Sequence, residues 1–251
     1  MAPSISIREH IRWLPDPASE PTTTLVLTSA ENRFVDIRIL KPTHSPSTES
    51  KREDVLPLSH LDWAFAGTST SVPQRGEDGK AFAHSTWKHW VSSKTRDVDG
   101  VSDEGDMFPL PEGRVLEKGR MSNPATGVVT EYEELWFDPP FRVVEDGKGD
   151  GEGERGNCCV VLQLQDDEHE ARGVVVRVGQ YVQGVLRVGE GFSLERWEWK
   201  GKGKDEGWQR LVRMGDLWLP CGPAMDDGRL KEEGEVKYGE YLWKVVELSY
   251  F

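Results

Sequence analysis

Apolar and polar residues alternate with a period of two along several segments of this chain. In residues 33–40, RFVDIRIL, the side chains of Val35, Ile37 and Ile39 share one face and alternate with Asp36 and Arg38. This is the pattern of a strand with one dry face and one wet face. The same alternation recurs in residues 130–137, 193–199 and 240–250. Helical periodicity is weak, so the pattern predicts an all-β protein.

The run at residues 173–189, GVVVRVGQYVQGVLRVG, is rich in β-branched residues and is interrupted only by Gly179 and Gly184. Glycines inside a strand mark a bend, a bulge or the close approach of another backbone. A long strand uses them to turn the corner of a curved or closed sheet. The run therefore predicts a small antiparallel β-barrel.

Residues 145–156, EDGKGDGEGERG, form the strongest boundary in the chain. The segment is glycine-rich and charged and has no apolar residue, so it contributes nothing to a core. We expect a linker here between two β-barrel domains, at residues 1–144 and 157–251. The alternative is a long hairpin loop inside one larger barrel, because loops and linkers share this composition.

Charge and hydropathy argue against two classes of partner. The 251 residues carry 44 acids and 31 bases, a net charge of −13, and no basic face that would bind a phosphate backbone. No window approaches the ~18 apolar residues that span a bilayer. The N-terminal sequence MAPSISIREHIRWLPDP lacks the apolar core of a signal peptide. We expect neither nucleic acid nor a membrane as partner, and the ten tryptophans predict packed cores.

The three cysteines are Cys158, Cys159 and Cys221. Adjacent cysteines seldom bridge each other and the count is odd, so we expect reduced thiols in the cytosol or nucleus. Because they open a predicted strand, Cys158 and Cys159 point to opposite faces. Cys221, in LPCGP, fits an exposed turn.

The chain lacks recognisable catalytic motifs. The glycine-rich segment has no Lys-Ser/Thr ending of a phosphate-binding loop, and the histidines have no metal-ligand spacing. A Ser-His-Asp order and a nucleophile elbow are also missing. We therefore expect no enzyme, no cofactor and no metal. An enzyme with Glu134 or a histidine as base is the least favoured alternative.

One acid lies on a predicted inner face. Glu134 shares that face with Tyr132 and Trp136, and a buried carboxylate needs a partner, for which Arg114 and Arg120 are the candidates. We interpret Glu134 as a structural or ligand-orienting acid rather than a catalytic one. The candidate ligand-lining or core-lining residues are Trp63, Tyr132, Glu134, Trp136, Tyr181 and Trp243. These side chains either line a pocket or fill the barrels, and a cavity of ~300 Å³ or more would favour the pocket.

Five strings in the sequence carry a resemblance to a known family. They are LDWAFAGT at 61–68, TWKHW at 86–90, EELWF at 133–137, VGQYVQGVL at 178–186 and LWKVVE at 242–247. With these strings in order, the chain resembles the fungal HRI family, named for a yeast protein that interacts with a casein kinase 1 and a secretory translocon component. The resemblance implies two lipocalin-like (calycin-like) β-barrels, a location in cytoplasm and nucleus, and no known enzymatic activity. It supplies no catalytic or kinase-binding residues.

Two functions follow as the main hypotheses. The first is a non-enzymatic interaction protein that binds a casein kinase 1, with residues 43–54 as either a substrate loop or a loop without contacts. The second is a carrier that holds a small hydrophobic ligand inside a barrel, since an eight-stranded barrel has room for one small molecule.

Overall fold

The computed structural model describes residues 2–42, 55–144, 157–201 and 206–251, and β-strands dominate them. The first strands are β1 Ser4–Trp13, β2 Thr22–Thr28, β3 Arg33–Leu40, β4 Leu61–Arg75, β5 Ala81–Ser92, β6 Ser102–Leu110, β7 Arg114–Ser122 and β8 Val129–Phe137. The others are β9 Cys158–Asp166, β10 Ala171–Val178, β11 Tyr181–Val188, β12 Gly191–Lys200, β13 Gly207–Met214, β14 Glu235–Tyr238 and β15 Tyr241–Tyr250. The short helical elements are the α-helix α1, Cys221–Met225, and the 3-10 turns Leu58–His60 and Asp227–Arg229. The predicted all-β class is confirmed.

Strands β1 to β8 form a closed antiparallel barrel in chain order. The barrel closes where β8 pairs with β1, and the register shifts there between Arg8 and His10. A second shift lies between Ala66 and Gly67 on β4, within the LDWAFAGT string. Such bulges bend a strand and increase its twist, which a closing sheet requires. One of the two predicted barrels is therefore present.

Strands β9 to β15 form a seven-stranded antiparallel sheet in the order β13-β12-β11-β10-β9-β15-β14. Its edges are β13 and β14, so these described strands do not confirm the second predicted barrel. One isolated bridge, between Leu56 and Met214, joins this sheet to the chain segment before β4. The alternative of one larger barrel is wrong, because β8 pairs with β7 and β1 rather than with β9. The predicted linker at residues 145–156 and the loop at 43–54 lie outside the described residues.

The glycine-containing run at residues 173–189 is a hairpin and not one bending strand. Strands β10 and β11 pair along their whole length, and the turn between them contains Gly179, whose φ is +53°. Such a φ favours glycine, so this glycine reverses the chain. The single-strand prediction was wrong because the apolar residues on both sides of the turn are buried, and no polar loop marks the reversal.

The barrel packs against the second sheet through the outward face of β2 and β3. Leu25, Val35 and Ile37 are almost fully buried there and pack against Val174 and Val185 of the sheet. Burying both faces of β3 contradicts the predicted wet face. The polar side chains of β3 point into the barrel instead, where other protein groups replace water.

Two polar side chains cross this apolar interface. The Gln183 side-chain amide donates hydrogen bonds to the carbonyl oxygens of Leu25 and Val35, each at 2.8 Å. The Arg196 guanidinium donates to the Ile37 carbonyl oxygen at 2.7 Å, and burial lowers the pKa of Arg196 to about 10. Buried donors need such partners, so these bonds specify how the sheet sits on the barrel.

The other side of the second sheet has its own apolar core. Trp243 is fully buried against Gly173, where an added Cβ would collide with the indole ring. Leu219 and the helix α1 cover the same side. The alternation predicted for residues 240–250 agrees with this packing, since Trp243 and Val245 belong to the core and Tyr241 packs against it. In the described part of the chain, no helix has the length and apolar character of a membrane span.

Candidate functional site

A cavity of about 250 Å³ lies inside the β1–β8 barrel. Small polar side chains line part of its wall, including Ser6, Ser69, Ser71 and Ser85. Larger apolar and aromatic side chains line the rest, including Phe34, Phe65, Met107 and Trp136. This mixed surface has hydrogen-bonding groups beside apolar walls, which is typical of small-molecule sites.

Arginine–carboxylate pairs occupy one part of the interior. The guanidinium of Arg8 donates to Glu134 and also to Glu20, the latter at 2.9 Å. The guanidinium of Arg38 lies 3.3 Å from the same Glu134 oxygen and 2.8 Å from Asp36 Oδ2. Four of these five groups are buried, the exception being Glu20, so each buried charge depends on its partner.

These pairs change the protonation energies of their members. Burial alone would lower the pKa of Arg38, but the Asp36 and Glu134 carboxylates outweigh burial and raise it. Burial raises the pKa of Asp36 despite the opposing charge of Arg38. The second carboxylate oxygen of Asp36, Oδ1, is buried and has no hydrogen-bond partner.

Glu117 is the other buried carboxyl group on the cavity wall. It lies directly opposite Glu134 in the β7–β8 register. Its oxygens accept hydrogen bonds from the Tyr132 hydroxyl at 2.7 Å and from the Trp136 indole nitrogen at 2.9 Å. Burial, followed by the charge of Glu134, raises the pKa of Glu117 to about 8. Gly119 leaves space for the Tyr132 ring, because an added Cβ would lie 2.5 Å from the hydroxyl oxygen.

Three of the residues singled out from the sequence meet on the cavity wall: Tyr132, Glu134 and Trp136. The predicted partners of Glu134 were wrong, because Arg8 and Arg38 pair with it. Arg114 instead bonds Glu9 on the surface. Sequence spacing alone does not show which strands become neighbours when a barrel closes, and both true partners come from other strands.

Trp63 lies beside the interior without lining the cavity. The centroid of its ring lies 4.3 Å from that of Phe65, and the two rings are tilted by 30°. The Arg38 guanidinium and the Lys94 ammonium lie over the ring, at 5.5 Å and 4.2 Å. Trp63 therefore stabilises one side of the arginine network.

Tyr181 and Trp243 lie in the second sheet, away from this cavity. The Tyr181 hydroxyl donates to Glu198 at 3.1 Å. Trp243 fills the core beside Gly173. Of the two predicted roles, lining a pocket or filling the interior, Trp243 has the second.

Sequence reasoning missed Arg8, Asp36, Arg38 and Glu117 as members of this site. Asp36 and Arg38 alternate with apolar residues, which is also the pattern of a solvated face. For Glu117 the available signal was its strand, RVLEKGRMS, in which the glutamate and Gly119 share a face. That signal identifies a face but not whether the face turns inward.

The cysteines lie outside the cavity, and all three are buried thiols that form no disulfide. Cys158 and Cys159 belong to the two opposite cores, as predicted. The exposed turn predicted for Cys221 is wrong, because this thiol is buried at the start of α1 and burial raises its pKa. No group of three His, Cys, Asp or Glu side chains in the described residues is arranged to hold a metal ion.

Comparisons with known proteins add a family to this geometry. The sequence model of a family described as Protein HRI1 matches residues 4–247. The chain belongs to this family. The predicted resemblance is thereby confirmed. A solved structure, of the uncharacterized protein YLR301w from Saccharomyces cerevisiae, matches with a TM-score of 0.71 and 18% sequence identity.

That match covers 99% of this chain and 100% of the yeast chain. At this identity the likeness shows a shared fold over the whole chain, and it carries no ligand or activity with it. No curated protein matches the sequence.

Proposed function

We propose that this protein is a non-enzymatic binding protein whose β1–β8 barrel holds one small molecule. The cavity of about 250 Å³ is the observation that carries the proposal. Eight-stranded barrels have an interior just wide enough for side chains or for one small ligand. Because drug-sized ligands use pockets of ~300–1,000 Å³, we expect a ligand smaller than these.

The interior revises the hypothesis of a purely hydrophobic ligand. Aromatic and aliphatic side chains such as Phe34, Phe65 and Met107 favour an apolar body, but charged groups share the same wall. An apolar molecule would leave the unpartnered Asp36 oxygen unsatisfied, which costs free energy. The ligand that fits has an apolar part and a polar end.

The lipocalin-like comparison is proposed for the β1–β8 unit. Its strands follow one another around the barrel in chain order, which is the up-and-down arrangement of lipocalins. The second sheet packs on the outside of β2 and β3. In this proposal the second sheet supports the binding barrel from outside.

Native mass spectrometry and thermal unfolding test the binding proposal. We expect a small molecule to co-purify, or a panel of amines, alcohols and acids to contain a compound that raises the melting temperature. Ala83→Phe fills the cavity wall without removing a side-chain hydrogen bond and should abolish the effect. Ala125→Phe, at an exposed turn position, is the matched control and should keep it.

The binding proposal would be contradicted if the wild-type protein carried no bound small molecule and no compound in the panel raised its melting temperature. Equal stabilisation of wild type and Ala83→Phe would place the binding outside the cavity and would contradict it as well.

We also propose that the protein docks a casein kinase 1 in the cytoplasm and nucleus. Membership of the family is the support, since the family resemblance implies this partner. The test is a pull-down of a purified recombinant casein kinase 1 with the purified chain, quantified by titration. Stoichiometric binding supports the docking, and no binding at micromolar concentrations of both proteins contradicts it. Phosphorylation of residues 43–54 in the same mixture would identify a substrate loop.

A further inference from the structure

The buried acidic and basic groups inside the barrel are not equal in number. Three buried carboxyl groups, Asp36, Glu117 and Glu134, lie with two buried guanidiniums, Arg8 and Arg38. Arg8 also binds Glu20, so its charge is shared between two acids. The described part of the barrel interior therefore contains more acidic groups than basic ones.

The unbalanced group is Glu117. Asp36 and Glu134 each form an ion pair with Arg38, whereas the hydrogen-bond donors to Glu117 are a phenol and an indole. The ionisable groups that line the cavity with Glu117 are Asp36 and Arg38 on β3, Asp103 on β6, Tyr132 and Glu134 on β8, and Asp138 after β8. Behind them, His89 on β5 is the partner of Asp103 and Arg8 on β1 is a partner of Glu134. A cation that enters the cavity would find in Glu117 an acid without a cationic partner.

Asp36 supplies a second and independent observation. Its side chain lines the cavity and the residue is 3% exposed, yet Oδ1 has no hydrogen-bond partner. An unsatisfied buried acceptor of this kind is uncommon, and a donor from a ligand would satisfy it. Asp36 can therefore accept a further hydrogen bond at Oδ1, and Glu117 can pair with a positive charge.

The rest of the wall suits the same chemistry. The rings of Phe34, Phe65 and Trp136 line the cavity with the two acids. Aromatic faces attract cations, most strongly where water is displaced. They also provide the apolar surface that the body of an organic molecule needs.

We infer that the cavity binds a small organic ammonium ion, with Glu117 as its counter-ion and Asp36 Oδ1 as a hydrogen-bond acceptor. This inference rests on the proposed binding function and names its ligand class. A metal ion is a poorer occupant, because much of the wall is apolar.

Binding replaces the proton on Glu117 by an ammonium ion. With its pKa near 8, Glu117 is mostly protonated in the empty cavity at neutral pH. An ammonium group beside it favours the carboxylate, so the O–H proton of Glu117 passes to solvent as the ammonium enters. The affinity for an amine should therefore rise up to tenfold per pH unit from pH 6 to about 8 and then level off.

The test is isothermal titration calorimetry with three shape-matched probes: phenethylamine, phenethyl alcohol and 3-phenylpropionate. Phenethylamine stays protonated over pH 6–8, since alkylammonium groups titrate near pH 10. We expect it to bind at least tenfold more tightly than the alcohol or the acid at pH 8. Titrations in two buffers of different ionisation enthalpy should show release of close to one proton at pH 6.5.

Glu117→Gln removes the titrating group and keeps the side-chain shape. We expect this variant to bind phenethylamine at least tenfold more weakly at pH 8 and to lose the pH dependence and the proton release. Glu133→Gln, on the outer face of β8 beside Lys118, is the matched control and should behave as wild type. If Glu117→Gln fails to fold, two other measurements test the inference: the pH dependence of phenethylamine affinity in wild type, and the affinity of Asp36→Asn, which should be weaker than that of wild type.

The outcomes separate this inference from the proposed function. If the alcohol or the acid binds as well as the amine, or if amine binding is independent of pH, the ammonium inference is overturned and a small-molecule site remains. If no probe binds but a compound that carries no positive charge co-purifies with the protein, the ammonium inference is also overturned. If Ala83→Phe binds phenethylamine as wild type does, the amine does not occupy this cavity.

Discussion

The barrel encloses a partly charged interior, whereas the second sheet covers an apolar core. Inside the barrel, Arg8, Arg38 and Glu134 form a buried ionic network beside a cavity of about 250 Å³. Behind the second sheet, Trp243 and Leu219 fill a dry apolar core. Both units are built from strands with the same period-two alternation, so alternation by itself decides neither polarity nor packing.

The difference comes from which strand face the other unit covers. The apolar face of β3 points out of the barrel, where the second sheet removes it from water. The polar face must then point inward, and its charges require partners from other strands. In the second sheet, apolar side chains pack on both faces. The barrel therefore keeps room for a ligand, while the sheet is packed for stability.

The largest expected effect is in the second sheet. Trp243→Ala removes a fully buried indole and should lower the free energy of unfolding by about 3–5 kcal/mol. Trp218→Ala is the matched control, because this indole is 58% exposed and contacts the Arg213 guanidinium. We expect a loss below about 1 kcal/mol there. Urea unfolding measures both, and equal losses would contradict the filled core.

A smaller effect is expected in the barrel network. Glu134→Gln keeps the side-chain shape but removes the charge that Arg8 and Arg38 share, so unfolding should become easier by about 1.5–3 kcal/mol. Glu133→Gln, one residue away on the outer face, should cost less than about 1 kcal/mol. Urea unfolding at pH 7 compares the two variants. If Glu134→Gln left the free energy of unfolding unchanged, the ionic network would not stabilise the barrel.

The smallest effect concerns the pH dependence of stability. The pKa of Glu117 is about 8 in the folded protein and near 4.5 as a free side chain, so the folded state binds more protons between these values. Stability should therefore fall as pH rises through this window, and between pH 7 and 8 the contribution of Glu117 amounts to about 1 kcal/mol. Glu117→Gln should lack this contribution.

The pH prediction is checked by urea unfolding of wild type and Glu117→Gln at pH 7 and pH 8. The difference between their unfolding free energies should shift in favour of the variant as pH rises. Titrating groups that do not interact with Glu117 contribute equally to both proteins, so the difference reports on Glu117 and the groups coupled to it. Parallel curves would show that the cavity does not raise the pKa of this carboxyl group.

Several parts of the fold were predictable from local patterns. The shared face of Tyr132, Glu134 and Trp136 follows from strand alternation, and so do the opposite faces of Cys158 and Cys159. The partners of Glu134 were not predictable, because Arg8 comes 126 residues earlier in the chain. Strand alternation identifies faces within one segment, whereas an ion pair across a barrel depends on closure and register.

The hairpin at Gly179 illustrates the same limit. A reversal inside a buried sheet lacks the polar loop that usually marks a turn, so the sequence 173–189 reads as one strand. The second predicted barrel was based on the same run. Hydrogen bonding of β9 to β15 instead forms a sheet with two edges.

Local sequence patterns were sufficient to predict the β class, the two-residue period of the strands and the family. These properties depend on composition, on neighbouring residues and on short strings, which need no knowledge of the fold. That Asp36, Arg38 and Glu117 face a cavity, and that Trp243 fills a core, depends on tertiary packing. A strand face is buried or exposed according to what packs on it, and that partner comes from a distant part of the chain.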